Sequence, residues 1–216
     1  VGTGANGTIK HGLSVAPEWI MVTGRDTASI AGFLVSSKAD PTGSGGFTQF
    51  LYLNETEVSR ASATAWNDTA PTSSVFSVGS GATTNYSTEN MIAYCWHSVE
   101  GFSKFGKYIG NGNADGPFIY TGFKPSFLIF KSTAAANWYL FDGARNPYNL
   151  VSTALHPDTN QGDQEMTTRG VDFLSNGFKL RQETGYGGNN DGVTYIYMSF
   201  AEHPFNGDGT NPVTAR

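Results

Sequence analysis

Two segments of this chain read as diverged copies of one another, and that repeat constrains the fold more than any other feature. Gly12-Leu-Ser-Val-Ala-Pro-Glu-Trp-Ile-Met-Val22 opens the first copy, and Gly122-Phe-Lys-Pro-Ser-Phe-Leu-Ile-Phe130 opens the second. Pro17 aligns with Pro125, Trp19 with Phe127, Ile20 with Leu128 and Met21 with Ile129. The ends match as well: Met91-Ile-Ala-Tyr-Cys-Trp-His97 lies against Tyr195-Ile-Tyr-Met-Ser-Phe-Ala201, with Trp96 on Phe200. Upstream of these, residues 74–78 correspond to the region of 177–180. Self-similarity at nearly constant spacing marks an internal duplication. Between the copies, residues 101–125 alternate aromatic residues with glycines around a polar turn at 111–116.

The composition says what such a unit is built from. Only 14% of the chain is charged, against roughly 25% in an average globular protein. Twenty-seven glycines and abundant Ser, Thr and Asn take the place of the missing charge. That balance suits short strands joined by tight turns and disfavours long solvated helices. The 216 residues suffice for one large domain or two of roughly 100 residues each. A net charge of −5, with basic residues scattered rather than clustered, argues against a general nucleic-acid binder. No apolar run approaches the ~18–20 residues of a membrane-spanning helix, and no signal-peptide pattern opens the sequence. Cys95 is the lone cysteine, which excludes an internal disulfide and a cysteine metal site; its apolar neighbours predict a small buried residue. The glycine-rich opening, residues 1–8, reads as a linker from an upstream region.

The strands follow from apolar runs between turn signals. In the first copy they are expected at 8–11, 18–23, 29–36, 47–53, 74–78 and 91–99, with a loop at 40–46 and a weak helix-like turn over 54–65. In the second they are expected at 126–132, 137–142 and 193–202. A hairpin spans 171–181 with Asn176-Gly177 as its two-residue turn, and 150–170 is polar and irregular. The fold class is therefore all-β: two tandem, internally duplicated antiparallel β-sandwich lobes of jelly-roll-like kind. The lobes divide as 1–105 and 106–216, or fuse into one pseudo-symmetric unit.

Catalytic signatures are poor. Gly79-Ser-Gly81 lacks the Gly-x-Ser-x-Gly spacing of a nucleophile elbow, and His11, His97, His156 and His203 share no metal-ligand spacing; each reads as a surface or strand-end histidine. Asp172 and Glu202, on strands, are the acids to inspect for glycoside cleavage, with pairing to Arg181 or Arg145 as the plainer role. Asn111, Asn113 and Asp115 alternate like the first half of a calcium loop. The bidentate acid expected at the twelfth position falls on Gly122, so a turn is the first reading and a weak calcium or sodium site the alternative. No other cofactor is implied. Trp66, Tyr86, Trp138, Tyr148 and Tyr186 sit in polar, loop-rich surroundings and suit a surface on which rings stack against sugars; the competing use is to cap the core beneath the loops.

Four stretches carry a resemblance. They are Trp66-Asn-Asp-Thr-Ala-Pro-Thr-Ser-Ser-Val-Phe76, the central run from Glu100 to Pro125, Asp172-Phe-Leu-Ser-Asn-Gly-Phe-Lys-Leu-Arg181 and Phe200-Ala-Glu-His-Pro-Phe205. Together they resemble an uncharacterised virion-protein domain of tailed bacteriophages, especially those of marine bacteria and cyanobacteria, that sits at the C-terminal end of long tail-fibre-like structural proteins. The closing residues 211–216 resemble such a C-terminus. Residues 26–33 depart from that pattern, where the family more often carries an aromatic-rich strand like 137–142. The resemblance brings no catalytic residues with it.

What it implies is a non-enzymatic virion protein, made in the host bacterial cytoplasm and oligomeric, with a trimer favoured. Its partners would be other virion proteins and a host-surface glycan or protein, with no nucleic acid and no membrane insertion. The alternatives are a capsid decoration or tail-assembly protein with virion partners alone, and more distantly a polysaccharide depolymerase.

Overall fold

The structure, a computed structural model, describes residues 1–26, 33–39, 47–166, 169–182, 185 and 187–204. It is mostly β, with several antiparallel sheets and, among the described residues, two helical turns, Ala63–Trp66 (α1) and Ala82–Asn85 (α2). Every strand pairing among the described residues is antiparallel. The chain divides into two compact units, Val1–His97 and Ser98–Arg216.

In the first unit the strands are β1 (Gly7–Lys10), β2 (Trp19–Gly24), β3 (Leu34–Ser37), β4 (Gln49–Tyr52), β5 (Arg60–Ala61), β6 (Val75–Val78) and β7 (Met91–Trp96). A five-stranded sheet runs β5-β4-β3-β2-β7, and β1 pairs with β6 in a separate ribbon. Across β2 and β7, Trp19 stands opposite Trp96, Ile20 opposite Cys95 and Met21 opposite Tyr94. Because side chains alternate across a strand, Ile20 and Val22 share one face. They meet Leu34, Phe50, Trp66 and Phe76 in a single buried cluster. The other face of β2 and β3 is also buried at Trp19 and Val35, so β2 opens as an unbroken apolar run, Trp19 to Val22, rather than an alternating one.

The second unit contains β8 (Ser103–Ile109), β9 (Phe118–Tyr120), β10 (Pro125–Ser132), β11 (Trp138–Asp142), β12 (Thr153–Ala154), β13 (Gln164–Glu165), β14 (Val171–Leu174), β15 (Gly177–Leu180) and β16 (Thr194–Ala201). A four-stranded sheet runs β11-β10-β16-β8, a three-stranded one β14-β15-β9, and β12 pairs with β13. Here Phe127 stands opposite Phe200 and Ile129 opposite Met198. One cluster draws Phe130, Phe141 and Tyr195 from the larger sheet and Phe173, Phe178 and Ile119 from the smaller. At its centre Tyr108 stacks on Tyr195 at 4.8 Å between ring centroids.

Several expectations shift in the details. The helix-like turn over 54–65 reduces to α1 and the two-residue β5. The described residues of 150–170, which leave out 167 and 168, are irregular apart from β12, β13 and the isolated bridges at Val151 and Leu155. The strand expected at 29–36 appears as Leu34–Ser37, with 27–32 outside the described residues, as are the loop at 40–46 and most of the departure noted at 26–33. The hairpin at 171–181 forms, but Leu174 pairs with Gly177, so the turn residues are Ser175 and Asn176. The reason is packing: a Cβ on Gly177 would lie 2.1 Å from the Ile119 carbonyl oxygen. The glycine is there to admit β9, and its φ is not positive.

Candidate functional site

The rings singled out in the sequence part company. Trp66 is 1% exposed and Trp138 0%. Trp66 lies in the first unit's core cluster, edge-on to Phe47 at 6.3 Å. Trp138 is sealed into β11, its backbone N–H donating to Asp158 Oδ1 at 3.2 Å. Neither ring is available to a ligand, which corrects the expectation that they stack on sugars. Apolar area is most stabilising when buried, and here the core has claimed the largest rings. Tyr86 follows α2 and is 44% exposed. Tyr148 is 84% exposed. Tyr186 lies outside the described residues.

Tyr148 stands on the connection after β11, and three side chains brace that connection, two against nearby backbone and one against β14. Asp142 Oδ1 accepts from the N–H groups of Ala144 at 3.1 Å and Arg145 at 2.9 Å. Asn146 Oδ1 accepts from those of Ser152 at 3.2 Å and Thr153 at 2.7 Å. Asn149 bonds Phe173 as a strand neighbour would, its Nδ2 donating to the Phe173 carbonyl at 3.0 Å and its Oδ1 accepting the Phe173 N–H at 2.9 Å. Short Asn and Asp side chains do this readily because their amide or carboxylate mimics a peptide group. Tyr148 is thereby presented on a tied loop.

Beside it opens a pocket of about 230 Å³. Val151 and Phe173 form its buried floor, with Pro125 and Pro147 on its walls. Its rim carries Lys124 and Glu202, whose side chains meet at 2.9 Å. The Glu202 backbone N–H also donates to the Lys124 carbonyl at 2.9 Å, so the end of the β10–β16 ladder sets the two side by side. Glu202 was among the acids to inspect; Lys124, Asn146 and Asn149 were not singled out. Pro-Tyr set between two asparagines was the signal available.

A larger pocket, about 460 Å³, lies in the same unit over Tyr139, Gln164, Glu165 and Arg169. Its polar groups are engaged internally. Glu165 accepts from the hydroxyls of Ser152 and Thr153, which hold its carboxyl below the usual range. Gln164 bonds His156 at 3.0 Å and also Gln161. His156 is 5% exposed, with its Nδ1 2.7 Å from the Trp138 carbonyl. It is a buried histidine just past the end of β12, so of the two roles expected of it, surface or strand-end, the surface one does not hold.

The polar turn at 111–116 uses its oxygens on itself. Asn111 Oδ1 accepts from the Asn113 N–H at 3.1 Å, and Asn113 Oδ1 from the Asp115 N–H at 2.9 Å. The buried amide of Asn189 donates to Asn111 Oδ1 at 2.9 Å and to the Asn113 carbonyl at 2.8 Å. Asp115 pairs with Lys179 at 2.6 Å, and that bond lowers its pKa. With its side-chain amide oxygens already accepting hydrogen bonds and two cations near its one carboxylate, Lys179 and Arg181, the turn does not suit a calcium ion. Asp172 likewise pairs with Arg181 at 2.6 Å, the plainer of its two expected roles.

Residues 1–204 match a family described as a domain of unknown function, DUF7483. Comparison with curated proteins and with solved structures finds no significant match. Since the match runs from the first residue to the end of the last strand, this chain belongs to the DUF7483 family.

Proposed function

We propose that this is a non-enzymatic structural domain of a bacteriophage virion, a tail-fibre or host-recognition module that binds a glycan or protein on the bacterial surface. The observation that carries the reading is Tyr148, 84% exposed on a loop whose flanking Asp142, Asn146 and Asn149 are tied to backbone. A large ring left in water on a rigid loop beside a pocket is a feature of binding surfaces, where little ordering entropy remains to be lost. Asp172 on β14 and Glu202, just past the end of β16, are held in ion pairs, which supports a role other than catalysis. The resemblance to tailed-phage proteins supplies the particle.

The same reading takes the two units as duplicated sandwich lobes. In its support, β2 pairs with β3 and β7 as β10 pairs with β11 and β16. Trp19 opposite Trp96 matches Phe127 opposite Phe200. Ile9 opposite Phe76 likewise matches Ile119 opposite Phe178.

A second reading, an assembly or decoration protein with virion partners alone, is favoured by a different observation. Strands β8 and β9 are both sheet edges, and they expose Ile109 (60%), Phe118 (45%) and Tyr120 (64%). Exposed apolar edges invite further pairing.

The test is adsorption. The purified domain, fluorescently labelled, is applied to a panel of marine bacterial and cyanobacterial cells and used to compete with phage that carry such a domain. Host recognition predicts binding to a subset of strains and blocked infection of those strains, both lost in Tyr148→Ala. Binding to none, with infection unimpeded, leaves the assembly reading.

A further inference from the structure

The pocket beside Tyr148 combines three surfaces that one kind of ligand satisfies together. The first is the exposed phenol ring itself, a flat face for C–H groups. The second is the apolar floor of Val151 and Phe173. The third is the polar rim, where Lys124 Nζ approaches both carboxylate oxygens of Glu202, at 3.1 Å and 2.9 Å. Asn146 adds a donor, because its Oδ1 is taken by two backbone N–H groups and its Nδ2 remains.

The side chains of Lys124 and Glu202 are 36% and 40% exposed. A pair so exposed contributes little to stability, so it reorganises around a ligand at small cost. An ammonium beside a carboxylate sets donors next to acceptors at one height. Two adjacent hydroxyls complement that arrangement, each able to donate to Glu202 and accept from Lys124. A phosphate or a second carboxylate would face the Glu202 charge, which disfavours anionic ligands. The volume of about 230 Å³ falls below the ~300–1,000 Å³ of pockets for drug-sized molecules, so the pocket takes one ring rather than an oligomer.

We propose that this pocket binds a single neutral hexopyranose unit of a surface glycan, its vicinal diol held by Lys124 and Glu202 and its C–H face laid on Tyr148. The proposal rests on the host-recognition reading and names the ligand class of the same site.

The experiment is an amide-shift titration of the isotope-labelled domain with methyl glucoside, methyl galactoside and methyl mannoside, each beside analogues lacking one hydroxyl of the diol. At least one glycoside is expected to shift amides in 142–149 and around 124 and 202. The matching deoxy analogue, Glu202→Gln and Tyr148→Ala are each expected to bind about tenfold more weakly, the scale of a lost charge-assisted hydrogen bond or aromatic contact. All the altered side chains are partly or largely exposed, so the variants fold and their unperturbed spectra verify it. No shift with any glycoside, or equal binding by the deoxy analogues or by Tyr148→Ala, overturns the proposal. The cell-adsorption assay is run on the same preparations. Cells bound through Tyr148 without a glycoside response overturn the sugar site alone and point to a protein receptor. Glycoside binding without cell adsorption overturns host recognition and leaves the sugar pocket standing.

Discussion

Trp66 and Tyr148 look alike in the sequence, each a lone ring in a run of polar and turn-forming residues, and the structure gives them opposite lives. Trp66→Ala would empty a site that is 1% exposed, at a cost of about 3–5 kcal/mol. A urea titration should show the first unit's transition moved to much lower denaturant. Tyr148→Ala touches a ring that is 84% exposed, and should change stability by no more than ~0.5 kcal/mol while abolishing cell binding. Lys131 is the other informative single residue. It is fully buried on β10, its ammonium donating to the carbonyls of Ser132 and Ala134 at 3.0 Å each. Burial pushes its pKa down from 10.5 to about 8, with Asp158 opposing. Between those two values the unfolded chain binds the more protons, so stability rises with pH across that window. Below about pH 8 both states are charged, and the burial penalty is fully present. Lys131→Met should therefore lack that rise, read as the difference between the two proteins' unfolding free energies at neutral pH and near pH 10. Equal slopes would contradict the assignment.

Elements were legible where an apolar run met clear turn chemistry. Trp19-Ile-Met-Val22 and residues 195–200 announce β2 and β16, because strands buried on both faces need no polar alternation. Trp96 and Phe200, aligned with each other in the sequence reading, stand opposite Trp19 and Phe127. What stayed hidden depends on neighbours distant in sequence. Gly177 reads as a turn glycine, yet its role is set by a carbonyl on β9 that no local pattern contains. Gly177→Ala should press against the Ile119 oxygen and cost about 1–3 kcal/mol, with faster hydrogen exchange at Ile119 and Phe178. A silent substitution would mean that β9 yields freely. The bracing of the Tyr148 loop was hidden as well: Asn149 holds Phe173 on β14, and Asn146 holds residues 152 and 153. Asn149→Ala gives up two bonds, each worth about 1 kcal/mol. It should loosen the loop, so exchange at the Phe173 amide speeds up and ligand affinity falls although Tyr148 is intact.

At the scale of the whole molecule the chain is sparing with charge, at 14%, and generous with rings, at 13%. Few charged residues and many glycines make short antiparallel strands, and buried aromatic side chains, Trp66 among them, fill two separate clusters. Among the described residues, the apolar side chains left exposed include Tyr148 beside its pocket, Tyr86, Tyr94 and Phe102, and those on the edge strands β8 and β9. The first suits a receptor and the last suits neighbouring subunits. A domain displayed at a fibre tip would use both, one outward and one along the fibre. The most direct measurement of that claim is electron microscopy of intact phage carrying the domain, labelled with gold-conjugated antibody against it. Host recognition predicts gold at the distal ends of the tail fibres. Gold spread over the head would contradict it and make this a decoration protein.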